Sequence, residues 1–370
     1  MFRKIILSFV GVLTLTSVFG CSQKEKLYVY NWGEYISHDV IKAFEQEYNV
    51  DVVYSTFNSN EDMITKLKSE SYDVIFPSDY AIEDLSQAGL IQELDWSKLE
   101  YQKEDVNADL LQILNKMKDD TEMYQGFDFL KYAVPYFCGT VGITYNTNKV
   151  SLTDLENLNW DILLNRNNQY KTAYYDSSRD GFMIPLKQLG YSMNTTNREE
   201  ILQAKNWLLE MKTNYASDKL AILTDALLDD MIALRYDMAV TYSGDALYVI
   251  SEEETDVLDF YKPKNGTNIW SDGMAIPKNA KNVEMAYKFI DFMCRFENAL
   301  LNTQEVGYTS SVNGVYEHCL NTSYEEDDYG YAEYANIYRI NIGLNDEMYR
   351  YSPENKELTD EEWLNFMVSR

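Results

Sequence analysis

Near the start of the chain, segments with the hydrophobic pattern of strands alternate with segments patterned like helices. Three apolar runs have the composition of buried strands, and the two segments between them repeat apolar residues at helical spacing. In chain order these segments are 27–30, 38–48, 50–54, 61–69 and 72–76. Ser37 is the predicted N-cap of the first helix. This order predicts a parallel sheet, and such sheets bind ligands beyond the carboxyl ends of their strands.

The remainder of the chain carries further helices and strands in a less regular order. An apolar strand pair, interrupted at Gly139, is expected to cross between lobes. Helical patterns cover 81–90, 154–164, 197–212, 224–236 and 283–295, and strand patterns cover 132–146, 238–242, 259–264 and 269–273. Thr359 and Glu362 have the spacing of a capping box, which predicts a helix start before Trp363. The acidic stretch 95–126 has no clear pattern.

The N-terminus has the form of a secretory signal: Arg3 and Lys4 precede an apolar run that is too short to span a bilayer comfortably. The sequence VFGC that ends at Cys21 resembles the lipobox of bacterial lipoproteins. In that family the signal is cleaved before the cysteine, whose sulfur then carries a diacylglyceryl group. An ordinary cleaved signal with an incidental cysteine is the alternative.

Roughly 350 residues remain beyond this leader, more than a single hydrophobic core usually serves, so at least two lobes are expected. The formal charge is −28, and removal of Arg3 and Lys4 leaves 30 basic against 60 acidic residues. Such a surface repels nucleic acid and anionic lipid and attracts cations. We therefore expect no nucleic-acid partner.

Cysteine and histidine are too sparse for a metal or redox site. Cys138, Cys294 and Cys319 form no CxxC pair, and His38 and His318 are the two histidines of the chain. We expect no metal and no cofactor. The three thiols are expected in the core, although a bridge between Cys294 and Cys319 remains open.

Seven segments, taken in order, resemble the spermidine/putrescine-binding proteins of bacterial polyamine ABC transporters. They are YNWGEY (30–35), YSTFNSNEDM (54–63), YDVIFPSDY (72–80), VPYFCGTVGITYN (134–146), LKQLGYSMNTT (186–196), WSDGMAIPKNAKN (270–282) and VGYTSS (306–311). The resemblance covers essentially the whole mature chain. It implies an α/β fold of the type II periplasmic-binding-protein class, with two lobes joined by crossing strands and a ligand cleft between them. The implied division is a signal peptide at 1–20, a lipidated tether at 21–26, a first lobe at 27–139 and 272–318, and a second lobe at 140–271 and 319–370.

Apart from the resemblance, the aromatic and acidic residues at the ends of the predicted strands suit a polyamine ligand. A polyamine is a methylene chain whose ammonium groups have pKa values near ~10, so its site needs carboxylates and flat apolar walls. Aromatic faces cover methylene groups, and each attracts an ammonium by roughly 0.5–2 kcal/mol. Carboxylates are needed because a desolvated ammonium without a partner costs several kcal/mol.

The resemblance assigns ligand contacts residue by residue. The implied contacts are Trp32, Glu34, Tyr35, Ser78, Tyr80, Asp180, Tyr242, Asp245, Trp270, Asp272 and Tyr308. Tyr242 stands where relatives usually carry tryptophan, and three further positions distinguish this chain from particular members of the family. Ser177 replaces an aspartate of spermidine-type members, Asp245 matches an aspartate of putrescine-type members, and Gly33 replaces a small polar residue. These mixed features leave the choice between spermidine and putrescine open.

The expected function is that of a lipid-anchored solute-binding protein on the outer face of a bacterial cytoplasmic membrane. It would capture a polyamine and deliver it to an ABC permease with a cytoplasmic ATPase, without acting as an enzyme. The same fold with another solute, such as an amino acid, a thiamine-like cation or an oligosaccharide, is the main alternative. A carboxylate-based hydrolase is a second, but it would need one acid with a raised pKa beside a nucleophile or water site.

Overall fold

The computed structural model describes residues 24–120, 126–224, 226–323, 326 and 330–369. The predicted signal peptide and Cys21 lie outside the described residues. The strands of the described part are β1 (Glu25–Trp32), β2 (Val50–Phe57), β3 (Val74–Ile75), β4 (Ala133–Asn146), β5 (Thr172–Tyr175), β6 (Leu220–Leu223), β7 (Met238–Tyr242), β8 (Leu258–Tyr261), β9 (Ile269–Ala275) and β10 (Thr309–Ser310). Its helices are α1 (His38–Tyr48), α2 (Asn60–Leu67), α3 (Asp79–Gln87), α4 (Ala108–Asp119), α5 (Leu152–Leu158), α6 (Ser178–Gln188), α7 (Arg198–Asn214), α8 (Ala226–Ile232), α9 (Ser243–Glu252), α10 (Val283–Cys294), α11 (Phe296–Val306), α12 (Asn313–Asn321), α13 (Ala335–Tyr338) and α14 (Pro353–Val368).

The N-terminal strands and helices form the predicted parallel unit. β1 pairs in parallel with β2 on one side and with β3 on the other. Helix α1 begins after Ser37, whose hydroxyl accepts the N–H of Asp39, as expected of an N-cap. Because these strands are parallel, β1 and β3 point their carboxyl ends toward the same edge of the sheet.

A second parallel group of strands lies farther along the same sheet. β5 pairs in parallel with both β6 and β7, and the order across the sheet is β2-β1-β3-β9-β4-β7-β5-β6. Helices separate these strands along the chain, as in other α/β folds. The mixed α/β class predicted from the sequence is confirmed.

Strand β4 joins the two groups. Its residues 133–140 pair with β9 and β10, whereas residues 141–146 pair with β7 and β8. The expected crossing is therefore present, but the expected interruption at Gly139 is wrong, because β4 is one continuous, fully buried strand. A Cβ at Gly139 would lie 2.9 Å from the Trp270 ring, so the glycine serves close packing and not a turn.

Buried apolar side chains form two clusters, of which the first extends over both groups of strands and the second lies at the second group. Phe44, Phe76 and Phe289 lie in the first cluster, and Trp160 and Phe182 lie in the second. The C-terminal region contributes to both, since α13 packs into the first cluster and α14 into the second. The lobe boundaries given above remain a prediction.

Two details of the C-terminal and central regions differ from expectation. Helix α14 begins at Pro353 after the N-cap Ser352, so the capping box predicted at Thr359 is wrong. The hydroxyl of Thr359 instead donates to the Asn355 carbonyl inside the helix. Helix α4 lies within the acidic stretch that showed no pattern.

The structure also bears on the cysteines and on whether a described helix could span a membrane. Cys138, Cys294 and Cys319 are separate buried thiols, so the bridge left open between the last two is not formed. In the part of the chain that the structure describes, we find no helix with the length and apolar character needed to cross a bilayer.

Candidate ligand-binding site

A cavity of about 780 Å³ lies between the two groups of strands. Trp32 ends β1 and Tyr242 ends β7, and both line this cavity. The loops that follow β3 and β5 reach it from either side, and β9 runs along it. The position therefore agrees with the rule that parallel sheets bind ligands at the carboxyl ends of their strands.

Most of the contacts predicted from the sequence meet at this cavity. Those that line it are Trp32, Tyr35, Ser78, Tyr80, Asp180, Tyr242, Trp270, Asp272 and Tyr308. Gly33 also lines it, and a Cβ there would have no heavy atom within 4 Å, so the glycine leaves open space. That these residues contact a ligand remains a prediction.

The structure does not bring Glu34 and Asp245 to the cavity surface. Glu34 is exposed and has a φ of +49°, in the left-handed region of backbone conformation. Asp245 accepts a hydrogen bond from the Tyr308 hydroxyl at 2.7 Å and so supports the cavity wall. Burial raises the pKa of the Asp245 carboxyl to about 6.

Asp272 and Trp270 lie two residues apart on β9, which places their side chains on the same face of the strand. Oδ2 of Asp272 accepts a hydrogen bond from the Tyr35 hydroxyl at 2.8 Å, and Asp272 is 6% exposed. Burial raises the pKa of the Asp272 carboxyl to about 6, against the opposing effect of hydrogen bonds from Ser78 and Tyr35. The site therefore holds a carboxylate that water does not solvate.

Asp180 is the matching carboxylate on the opposite side of the cavity. It lies in the first turn of α6, where Oδ2 accepts the Tyr242 hydroxyl at 3.0 Å. Its other oxygen, Oδ1, is buried without a hydrogen-bond partner among the described residues. Burial raises the pKa of Asp180, as it does for Asp272. This oxygen is available to a donor inside the cavity or to the Tyr349 hydroxyl, which lowers the pKa of the Asp180 carboxyl.

Aromatic rings connect the two carboxylates along the wall. Trp270 packs edge-to-face against Tyr308 at 5.1 Å and against Tyr242 at 6.1 Å, measured between ring centroids. Tyr308 in turn contacts Tyr35 at 5.9 Å. A Cβ at Gly244 would overlap the Tyr308 ring, so the glycine permits this packing. Edge-to-face contacts fix ring orientation, which makes the wall rigid.

Several buried donors in the wall have no partner in the described part of the chain. They are Nε1 of Trp32, Nε1 of Trp270 and the hydroxyl of Tyr349. A buried polar group without a hydrogen bond costs roughly 1–3 kcal/mol. Water or a ligand in the cavity would satisfy these groups.

Arg179 crosses the cavity from one group of elements to the other. Its guanidinium lies 3.7 Å from the centre of the Tyr80 ring, and its Nη2 is 3.1 Å from Glu61 Oε1. Arg179 belongs to α6, whereas Glu61 belongs to α2 and Tyr80 to α3. These contacts tie the two sides together at the cavity rim.

The cavity also contains residues that sequence reasoning did not select. Asp79, Tyr175, Arg179, Tyr349 and Lys356 all line it. Asp79 stands inside the segment YDVIFPSDY, between two residues that were selected, so its acidic side chain was a usable signal. Tyr349 comes from the C-terminal region, where no local pattern indicated a role in the site.

The chain matches known proteins over most of its length. Residues 39–328 match the family model of bacterial extracellular solute-binding proteins. The spermidine/putrescine-binding periplasmic protein of Salmonella typhimurium is 31% identical over 304 residues, which cover 80% of this chain and 81% of that protein. A putative spermidine/putrescine ABC transporter structure from Listeria monocytogenes is 32% identical, with a TM-score of 0.70 over 94% of this chain and 100% of that chain. The PotD substrate-binding protein of Streptococcus pneumoniae is 30% identical, with a TM-score of 0.73 over 93% of this chain and 99% of that chain.

Proposed function

Because this chain belongs to the family of bacterial extracellular solute-binding proteins, we propose that its cavity captures a polyamine, spermidine or putrescine, for import by an ABC transporter. The family is a non-enzymatic component of transport. The Salmonella protein named above is described as spermidine/putrescine-binding, and PotD as the substrate-binding protein of a spermidine/putrescine ABC transporter; both are similar to this chain over most of its length.

The observation that carries the proposal is a set of buried carboxylates without cationic partners. Asp79, Asp180 and Asp272 are each at least nine-tenths buried and line the cavity. Among the described residues, no Lys or Arg nitrogen lies within ion-pair distance of any of them. An uncompensated buried charge costs several kcal/mol, so the site favours a ligand that brings its own positive charge.

The walls between these carboxylates suit the rest of a polyamine. Indole and phenol rings offer flat apolar faces to methylene groups, and they attract ammonium groups held near them. A neutral oligosaccharide would require many more amide and hydroxyl partners than this wall provides. An amino acid would bring a carboxylate of its own into a cavity that already carries uncompensated negative charge.

Transport requires that binding be communicated to a permease. We propose that the lobes bounded by residues 27–139 with 272–318 and 140–271 with 319–370 close around the ligand, and that the closed form docks on the permease. The contacts of Arg179 with Glu61 and Tyr80 across the cavity support this closure. Closure of two domains around a ligand is a common way to couple binding with docking.

We also propose that a diacylglyceryl group on Cys21 anchors the protein to the outer face of the cytoplasmic membrane. The resemblance of the leader to a lipobox supports this anchor. Cells that express the protein should incorporate radiolabelled fatty acid into it, and Cys21→Ser should abolish the label. A labelled Cys21→Ser variant would exclude this anchor.

Calorimetric titration of the mature protein tests the ligand. We expect binding of putrescine or spermidine with a Kd in or below the low micromolar range, and no heat from control amino acids. Ligand at 100 times the Kd should stabilise the fold by about 2.7 kcal/mol and raise the Tm. Absence of heat with putrescine, spermidine and spermine would remove the proposal.

A further inference from the structure

Asp79 is a buried carboxylate of the cavity for which the resemblance implied no role. It is the first residue of α3, it is 1% exposed, and it lines the same cavity as Asp272. Its neighbour Ser78 forms an isolated antiparallel bridge with Asp272. Oδ2 of Asp79 lies 3.4 Å from the N–H of Ser271, the residue before Asp272. The backbone therefore places Asp79 and Asp272 on neighbouring segments that both line the cavity.

Local hydrogen bonds satisfy the buried carboxylate of Asp79 only in part. Its carboxylate accepts one short hydrogen bond, from the N–H of Tyr80 at 2.7 Å, and the long contact from Ser271. Asp73, a second buried aspartate of the same region, accepts three backbone N–H groups at 2.8–2.9 Å and does not line the cavity. Backbone donors can thus satisfy a buried carboxylate here, but at Asp79 they do so only in part.

Charges around Asp79 leave it short of positive compensation. Burial raises the pKa of Asp79 well above its ordinary value, and the charge of Asp272 raises it further. Arg179 is the cation that acts on it, but its guanidinium is engaged by Glu61 and lies over the Tyr80 ring. Two like charges placed together favour a ligand that brings a concentrated positive charge.

We propose that Asp79 and Asp272 together bind one primary ammonium group of the ligand, which makes Asp79 a further ligand-binding and specificity-determining residue. This inference rests on the proposed function. A primary ammonium presents three N–H donors, as the lysine side chain does, and charge-assisted hydrogen bonds to carboxylates are about twice as strong as neutral ones. A quaternary ammonium has the same charge but no N–H donor. The pair therefore selects an unsubstituted amine end.

The test compares Asp79→Asn with wild type and with Asp73→Asn by calorimetry at pH 8. Two ligands are used, putrescine and 1,4-bis(trimethylammonium)butane, which keeps both charges and loses every N–H donor. Asp79→Asn should raise the Kd for putrescine at least tenfold and reduce the wild-type preference for putrescine over the quaternary analogue at least fivefold. Asp73→Asn should leave both values within twofold of wild type.

The outcomes separate a ligand contact from a structural role. An unchanged putrescine Kd in Asp79→Asn would overturn the inference, and so would an equal loss of affinity for both ligands, which a distorted cavity would cause. If wild type binds no polyamine, the proposed function fails and this inference fails with it. Circular dichroism and the Tm verify folding, and Asp79→Thr, which keeps an oxygen for the Tyr80 N–H, serves if Asp79→Asn does not fold.

Discussion

If Asp272 contacts the ligand as proposed, we expect polyamine affinity to depend on pH between 5 and 8. Burial raises the pKa of Asp272 to about 6 in the unliganded protein, whereas an ammonium group beside it would lower that pKa in the complex. The polyamine stays protonated throughout this range because its ammonium groups have pKa values near ~10. Affinity should therefore fall as the pH falls and Asp272 takes up a proton.

The magnitude follows from the pKa. With a pKa of about 6, roughly one molecule in ten has Asp272 ionised at pH 5, and nearly all have it ionised at pH 8. If only the ionised form binds, the Kd rises about tenfold from pH 8 to pH 5, or about 1.4 kcal/mol. Protonation of Asp79 and Asp180, whose pKa values are also raised, adds to this effect.

Calorimetry on wild type and Asp272→Asn at both pH values isolates the contribution of this residue. Asp272→Asn should weaken binding at least tenfold at pH 8. The ratio of the variant Kd to the wild-type Kd should shrink about tenfold at pH 5, because wild type is then largely protonated at the same position. Asp73→Asn should follow wild type at both pH values. A ratio that stays constant from pH 8 to pH 5 would refute the reasoning.

The raised pKa of Asp272 affects the stability of the unliganded protein in the direction opposite to its effect on affinity: stability rises as the pH falls. Because burial raises the folded-state pKa of Asp272 and Asp245 above the unfolded value of 3.8, folding favours their protonated forms. Their stabilising effect is complete below pH 3.8 and is lost as the pH rises through about 6. A polyamine compensates the charge of Asp272, so the rise in Tm on adding ligand should be larger at pH 8 than at pH 5.

Further variants test the wall, the selectivity and the closure. Trp270→Ala should raise the Kd at least tenfold while the circular dichroism spectrum is kept; an unchanged Kd would mean that the ligand binds elsewhere. Ser177→Asp keeps a side-chain acceptor for the N-cap of α6 and adds a negative charge at the cavity. It should therefore strengthen the binding of spermidine relative to that of putrescine. A constant ratio of the two affinities in titrations with both ligands would contradict the role given to Ser177. Arg179→Met removes the contacts with Glu61 and Tyr80, and it should raise the Kd roughly three- to thirtyfold for all polyamines alike. A partly exposed ion pair is worth about 0.2–1 kcal/mol and a cation–π contact about 0.5–1 kcal/mol. A lower Kd would show that Arg179 opposes the ligand.

Local pattern was sufficient to predict the parts of the fold that local interactions determine. The first helix begins at its predicted N-cap Ser37, and the strand at 238–242 has its predicted bounds. Strand β4 was harder, because its continuity depends on partners on both sides and on a Trp270 ring that only a glycine at 139 can accommodate. The sequence shows the glycine but not the ring that lies against it.

In the candidate site too, local sequence predicted some residues, whereas the positions of others depend on contacts with distant parts of the chain. Residues of the seven segments that resemble the family reach the cavity when they lie at the end of a strand that leads to it, as Trp32 does. Glu34 is exposed and lies outside the cavity lining, in a left-handed backbone conformation that its sequence did not indicate, and Asp245 bonds to Tyr308 instead of lining the cavity. Tyr349 reaches the cavity beside an ion pair that joins Glu83 to a residue 267 positions away, a contact that no local pattern contains.

The treatment of buried carboxylates distinguishes the cavity from the rest of the molecule. In α3, Glu83 is 3% exposed, and its carboxylate accepts hydrogen bonds from Nε and Nη2 of Arg350 at 3.0 and 2.9 Å. Asp346, 1% exposed, pairs with Lys262. Asp79 lies one helical turn before Glu83 and is as deeply buried, yet among the described residues it has no ion-pair partner. Glu83 and Asp346 thus have ion-pair partners within the chain, whereas the described cations that line the cavity, Arg179 and Lys356, pair with Glu61 and Asp360 and leave Asp79 without one, as expected if its positive partner arrives with the ligand.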